Sequence, residues 1–187
     1  MQMVDRQAAE RAIAAFLRAL GHDPESSPEL SDTPARVAEA FERDLLSGYS
    51  VDIRALLQTE SVSLAESAPR GPVMVRGASV SAICPHHLLP AMGLATVAYL
   101  PGDRIVGIGT LARLVDAYAR RLTLQEAIGE NVVQALVEHA GARGAYCRLE
   151  LKHACLSIRG TRQPSATVVT VARRGSTLDD VLTGDGE

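Results

Sequence analysis

Two blocks of strand-forming sequence, separated by a helical pair, constrain the fold of this 187-residue chain more than any other feature. VMVRGASVSAI starts at Val73 and breaks at Cys84-Pro85-His86-His87. GLATVAYL follows from Gly93, and Pro101-Gly102-Asp103 turns it into RIVGIG from Arg104. Such runs, rich in β-branched residues and bounded by Gly, Pro and Asp, read as strands joined by turns. The helical block comes next, as LARLVDAYARR from Leu111 and TLQEAIGENVVQALVEHA from Thr123. A turn at Gly141 to Gly144 leads to AYCRLELKHACLSIRG, a long predicted strand, and ATVVTVARRG is its expected antiparallel partner. Strands and helices segregated in this way predict an α+β domain, an antiparallel sheet with helices packed on one face.

The region before the strands reads as a helical segment. RQAAERAIAAFLRAL, residues 6–20, carries apolar residues at helical spacing, with Gly21 as a stop signal. Asp32 or Thr33 is the expected N-cap of a second helix, with Pro34 in its first turn, running through ARVAEAFERDLLSG to Gly48. Residues 49–70 show no clear pattern. Thr123 is the expected N-cap of the last helix, with Glu126 completing a capping box. The expected division is a helical segment over 1–48, the sheet-and-helix domain over 49–175 and an acidic, turn-rich, disordered tail over 176–187.

Composition narrows the function. The chain is 47% hydrophobic and 22% charged, which supports a packed core and argues against disorder. With two Phe, four Tyr and no Trp, that core must be built from Val, Leu, Ile and Ala. A net charge of −3 and a pI near 6.0 argue against a nucleic-acid partner, whereas a few placed arginines can still hold a phosphorylated small molecule. No apolar run is long enough for a signal peptide or a membrane span, so a cytoplasmic protein without a membrane partner is expected. An odd count of three Cys then argues against a disulfide framework and for metal binding or catalysis.

Cys84 and His87, three apart on a tight turn that Pro85 favours, can face one metal, and thiolate with imidazole suits zinc. Alone, the pair reads equally well as a buried Cys beside surface histidines. His153 and Cys155 stand two apart in a predicted strand and are expected to project from the same face. Alone, they read more readily as a core Cys with a His at a strand end. Together the clusters supply three ligands and an open position, the pattern of a catalytic zinc site. An open zinc lowers the pKa of bound water to roughly 7, and an unbound neighbouring histidine, His86 or His153, is a natural proton carrier. Cys147 reads as core. Gln125-Glu126 at a helix start can recognise a purine edge, although the capping box alone accounts for Glu126. Arg113 and Arg159 suit phosphate, although each by itself reads as a surface arginine.

These residues, in this order, resemble the GTP cyclohydrolase I family. The resemblance rests on D-T-P-x-R-V-A at Asp32 to Ala38, C-x-H-H at Cys84 to His87 and A-T-V-A-Y-x-P at Ala95 to Pro101. It continues through R-L-V at Arg113 to Val115, Gln125-Glu126, and H-x-C-x-x-x-R-G at His153 to Gly160. It spans about residues 6–173. It implies the tunnelling fold and a toroidal homo-oligomer, typically a decamer, with active sites at subunit boundaries. It implies Zn2+ held by Cys84, His87 and Cys155, and attack of water at C8 of the guanine of GTP. Formate would leave and dihydroneopterin triphosphate would form, a step that opens tetrahydrofolate, biopterin and specialised pterin or deazapurine routes. His86 would protonate N7 and His153 would assist proton transfer. Gln125 and Glu126 would hold the guanine, and Arg113 and Arg159 the triphosphate.

The sequence departs from the family in the C-x-H-H turn and in two cationic positions. Pro85 stands where Glu is usual, Gly109-Thr110 replaces a Ser-Lys pair, and Glu39 replaces a Lys. Charge-assisted contacts are worth roughly 1.5–3 kcal/mol each, so these losses weaken a triphosphate site unless Lys152, Arg162 or a neighbouring subunit compensates. The alternative is a divergent paralogue acting on a purine nucleoside or nucleotide with fewer phosphates. A non-catalytic zinc protein would need a fourth ligand, and no fourth Cys or His stands at ligand spacing. A nitrile reductase of the queuosine type would need a nucleophilic cysteine, a part for which these metal-ligand cysteines are poorly suited.

Overall fold

Asp5 accepts a hydrogen bond from the Ala8 amide and opens helix α1 (Arg6–Ala19), and Gly21, at φ +87°, turns the chain out of it. The computed structural model describes residues 4–66 and 71–176. Helix α2 (Thr33–Ala40) starts at Asp32 with Pro34 in its first turn, as expected. Asp32 makes no side-chain cap and instead pairs with Arg36 at 2.9 Å. The helical path continues as a π turn over Phe41–Leu45 and a 3₁₀ turn over Ser47–Ser50. Gly48 is needed there because a Cβ would lie 2.1 Å from the Ala117 carbonyl oxygen. The unpatterned region holds α3 (Ile53–Thr59), capped by Asp52, and β1 (Ser61–Ser63).

The sheet begins with β2 (Val73–Ile83) and β3 (Pro90–Leu100), and β4 (Arg104–Val106) follows. Helices α4 (Ile108–Ala119) and α5 (Gln125–Ala140) precede β5 (Gly144–His153), the short α6 (Ala154–Ser157) and β6 (Val168–Gly175). Four strands form one antiparallel sheet in the order β2-β3-β5-β6, and β1 pairs with β4 in a separate ribbon. Helices α4 and α5 cover one face. Leu111, Leu114, Ile128, Val132 and Leu136 meet Val80, Val97, Leu149 and Leu151 in an aliphatic core. This is the predicted α+β architecture, a tunnelling fold. On the uncovered face Met92, Leu94, Val169 and Val171 are exposed. The hydroxyl of fully buried Tyr99 accepts from the Val106 amide at 2.7 Å and donates to the Val106 carbonyl at 3.2 Å.

The structure corrects three sequence expectations. RIVGIG is strand only through Val106. Gly107 turns the chain, its amide bonded to the Glu60 carbonyl, and Ile108 already belongs to α4. Thr123 does not cap α5. A bridge between Ile83 and Leu122 keeps the chain extended, so Leu124 takes the cap position and no capping box forms. The long strand from Ala145 ends at His153 and passes into the helical turn of α6, where the Ser157 hydroxyl bonds back to the His153 carbonyl. Of the tail expected over 176–187, all but Ser176 lies outside the described residues. Among the described residues, no helix is long and apolar enough to cross a membrane.

Candidate metal centre

The connection between β2 and β3 is a tight turn closed by its own backbone. The Cys84 amide donates to the Leu89 carbonyl and the Leu88 amide to the Cys84 carbonyl, both at 2.9 Å. Leu88 takes a left-handed conformation, φ 53°, that a leucine adopts only under constraint. The turn sets Cys84 Sγ 3.9 Å from His87 Nδ1. The β3–β5 register pairs Ala91 with His153, which brings the end of β5 beside this turn, and α6 then carries Cys155 into it.

One ligand atom from each of Cys84, His87 and Cys155 lies within 4.8 Å of the others. Donors sharing one zinc at bond lengths of 2.0–2.3 Å stand roughly 3.5–3.8 Å apart, so a small closure would seat an ion. Two thiols and an imidazole are a borderline-soft set that suits zinc, and the residues fit such a group. Burial pushes the Cys155 thiol up, and the neighbouring Cys84 adds to the shift. A divalent cation would relieve both effects.

The strand expected to carry both His153 and Cys155 ends at His153, and the helical turn after it brings Cys155 toward Cys84. His153 turns instead to Gln125, its Nε2 lying 2.8 Å from Gln125 Oε1. Gln125 is buried, and its amide nitrogen reaches the carbonyls of Leu149 and Val168 and the Thr170 hydroxyl. Burial lowers the His153 pKa, against the opposing pull of the Glu126 carboxylate. His153, Gln125, Thr123 and Cys84 line one hollow with Ile83 and Ala91, so the Cys84–His87 turn and the His153–Gln125 pair are neighbours.

The other expected residues fall around this core. His86 is exposed on the turn, edge-on to His87 with ring centroids 6.3 Å apart. Glu126 is exposed at the start of α5. Arg159 Nη1 lies 2.7 Å from His87 Nε2. Arg113 pairs with Glu60 at 2.6 Å and reaches the buried Thr110 hydroxyl at 3.3 Å. Glu39 pairs with Arg43 at 2.8 Å and with Arg6 at 3.9 Å. Cys147 is a core residue, its thiol pushed up to about 12 by burial.

Sequence reasoning missed Glu60, which lies in the unpatterned region. It also missed the link between His153 and Gln125, which are far apart along the chain. No local signal marks either.

The family model described as GTP cyclohydrolase I matches residues 9–184. The GTP cyclohydrolase 1 of Leifsonia xyli subsp. xyli is 43% identical over 171 residues, 91% of this chain and 87% of that protein. That of Campylobacter lari is 39% identical, covering 90% of this chain and 86% of its own. That of Mycobacterium leprae is 38% identical, covering 96% and 86%. Among solved structures, the archaeosine synthase QueF-Like in its apo form aligns with a TM-score of 0.44 and 18% identity, over 59% of this chain and 99% of that one.

Proposed function

The chain belongs to the GTP cyclohydrolase I family, and on that premise we propose that it is a zinc-dependent hydrolase that opens the guanine imidazole ring of GTP. The products are formate and 7,8-dihydroneopterin triphosphate. The observation that carries this reading is the convergence of Cys84, His87 and Cys155 from two separate parts of the chain, with no fourth protein donor in the group among the described residues. Bound there, zinc supplies Lewis acidity and lowers the pKa of a coordinated water to roughly 7.

The chain's own residues do the rest. His86, exposed beside the ligand turn, delivers a proton to N7 of the purine. His153, held by Gln125 in the hollow next to Cys84, moves protons in the hydrolytic steps. Glu126 accepts from the guanine N–H groups. Gln125 was expected to share that task, but its amide is buried and engaged by the sheet, so base recognition falls to Glu126. Arg113 and Arg159 hold phosphate, each exchanging its present partner for the substrate. The exposed Met92, Leu94, Val169 and Val171 support a homo-oligomer in which copies of this chain cover that face; that it is a decamer or another ring of the tunnelling fold, in the cytoplasm, is what the family resemblance implies.

A second reading has specific support. Arg113 is matched by Glu60 and Arg159 is docked on His87, while Glu39 adds negative charge. A cation already paired binds phosphate less well, which favours a purine substrate with fewer phosphates. Zinc-loaded protein incubated with GTP, GDP, GMP and guanosine decides between the two. Formate and pterin from GTP alone support the first reading. Equal turnover of GTP and guanosine supports the second. Neither product from any of the four sinks both.

A further inference from the structure

We propose that Gln125 is a positioning residue that fixes the tautomer of His153, so that Nε2 carries the proton and Nδ1 offers the lone pair. The proposal rests on the reading that His153 handles protons in the reaction.

The case is one of counting donors and acceptors. A glutamine amide has two N–H donors at one end and an oxygen that only accepts at the other. The end of Gln125 that meets the sheet lies 3.1 Å from the Leu149 carbonyl oxygen, 3.0 Å from that of Val168 and 3.2 Å from the Thr170 hydroxyl. Carbonyl oxygens accept and never donate, so that end must be the NH2 group. The reversed amide would set its oxygen against two carbonyl oxygens in a buried site, leaving its hydrogen-bonding groups unsatisfied. The sheet fixes where those acceptors stand, because the β5–β6 register pairs Leu149 with Thr170 and Leu151 with Val168.

With the amide nitrogen fixed on the sheet, Oε1 is left facing His153. The ring nitrogen 2.8 Å from it is Nε2. An acceptor-only oxygen at that distance requires a donor, so Nε2 bears the hydrogen. A neutral imidazole has one N–H, and the lone pair therefore belongs to Nδ1. Backbone pairing of β5 with β6, relayed through one buried amide, thus determines which atom of His153 can accept a proton. The ring shares its hollow with Cys84, next to the three-donor group. To bind a purine directly, Gln125 would have to give up two backbone carbonyls and this contact with His153 as well.

A purely structural Gln125 would tie α5 to the sheet without influencing the ring, and the tautomer separates the two cases. In zinc-loaded, ¹⁵N-histidine-labelled protein, with the signal assigned by its absence in His153→Asn, the His153 ring should show the Nε2–H form. An Nδ1–H ring would overturn the proposal. In Gln125→Met the ring should become a mixture of tautomers. Its kcat for GTP should fall at least about tenfold with KM little changed, since positioned proton transfer is worth roughly 10²–10⁴-fold. A raised KM with unchanged kcat would mean that Gln125 holds the base, and an unchanged tautomer in a folded Gln125→Met protein would mean that it does not set the ring. Either result sinks the proposal. If Gln125→Met fails to fold, the wild-type spectrum alone decides. If the wild-type protein does not turn over GTP, the functional reading fails, and the spectrum still tests the tautomer.

Discussion

Arg159 donates a hydrogen bond to His87 through Nη1 and Nε2, 2.7 Å apart. Arginine can only donate, so His87 Nε2 must present a lone pair there, and Nδ1 then carries the ring hydrogen. A metal on Nε2 would displace Arg159 directly. A metal on Nδ1 would move the hydrogen to Nε2 and set two donors against each other. The Arg159–His87 bond and a metal–His87 bond therefore exclude one another. Replacing Arg159 with Ala should tighten zinc binding a few-fold, a modest gain because the pair is exposed. Competition against a chromophoric chelator measures it. Weaker binding would show that Arg159 supports the ligand rather than competing with the ion.

The three cysteines should separate by reactivity. Burial pushes the Cys147 thiol up to about 12, so at pH 8 it is almost wholly protonated and shielded. Metal-free folded protein treated with iodoacetamide should be modified at Cys84 and Cys155 and not at Cys147. Zinc should protect the first two, and denaturant should expose the third. Peptide mass spectrometry reads all three sites, and early labelling of Cys147 would contradict its place in the core.

Glu60 links folding to pH. Its hydrogen bond to Arg113 holds the carboxyl below its ordinary value, with the charge of Arg113 adding to the effect. A depressed carboxylate contributes stability above its unfolded pKa and loses it as pH falls through the folded value. Glu60→Gln should therefore be less stable than wild type at pH 7, and the gap should be narrower at about pH 3, below the ordinary carboxylate range. Urea melts at the two pH values test this. A gap that persisted in acid would point to packing rather than charge.

Tyr99→Phe removes the partner of both backbone groups of Val106 in a buried setting. The expected loss is about 1–3 kcal/mol, since unsatisfied buried groups keep their desolvation cost. A thermal melt unchanged from wild type would show that water or a backbone shift replaces the hydroxyl.

The sequence was most legible where structure is local. β2 runs over the residues its β-branched pattern marked, and Pro85 with the C-x-H-H spacing announced the tight turn that brings Cys84 to His87. It was least legible where a tertiary contact overrode a local preference. Thr123 is a good N-cap residue, yet the bridge from Ile83 to Leu122 holds the chain extended past it. Nothing after His153 looks like a helix, because Cys-Leu-Ser-Ile reads equally well as strand, so the helical turn that carries Cys155 left no mark. Glu60 and Gln125 find Arg113 and His153 only after the sheet and helices have assembled.

Two donors of the metal group sit on one hairpin turn, and the third arrives from the far side of both packing helices in sequence. The hairpin is a local structure and can form early, whereas Cys155 reaches it only after β5 has docked on β3. A half-assembled chain therefore offers an ion two ligands, and a finished chain offers three. Because binding free energy at such a site is also folding free energy, an ion held tightly here certifies that the central strands have come together.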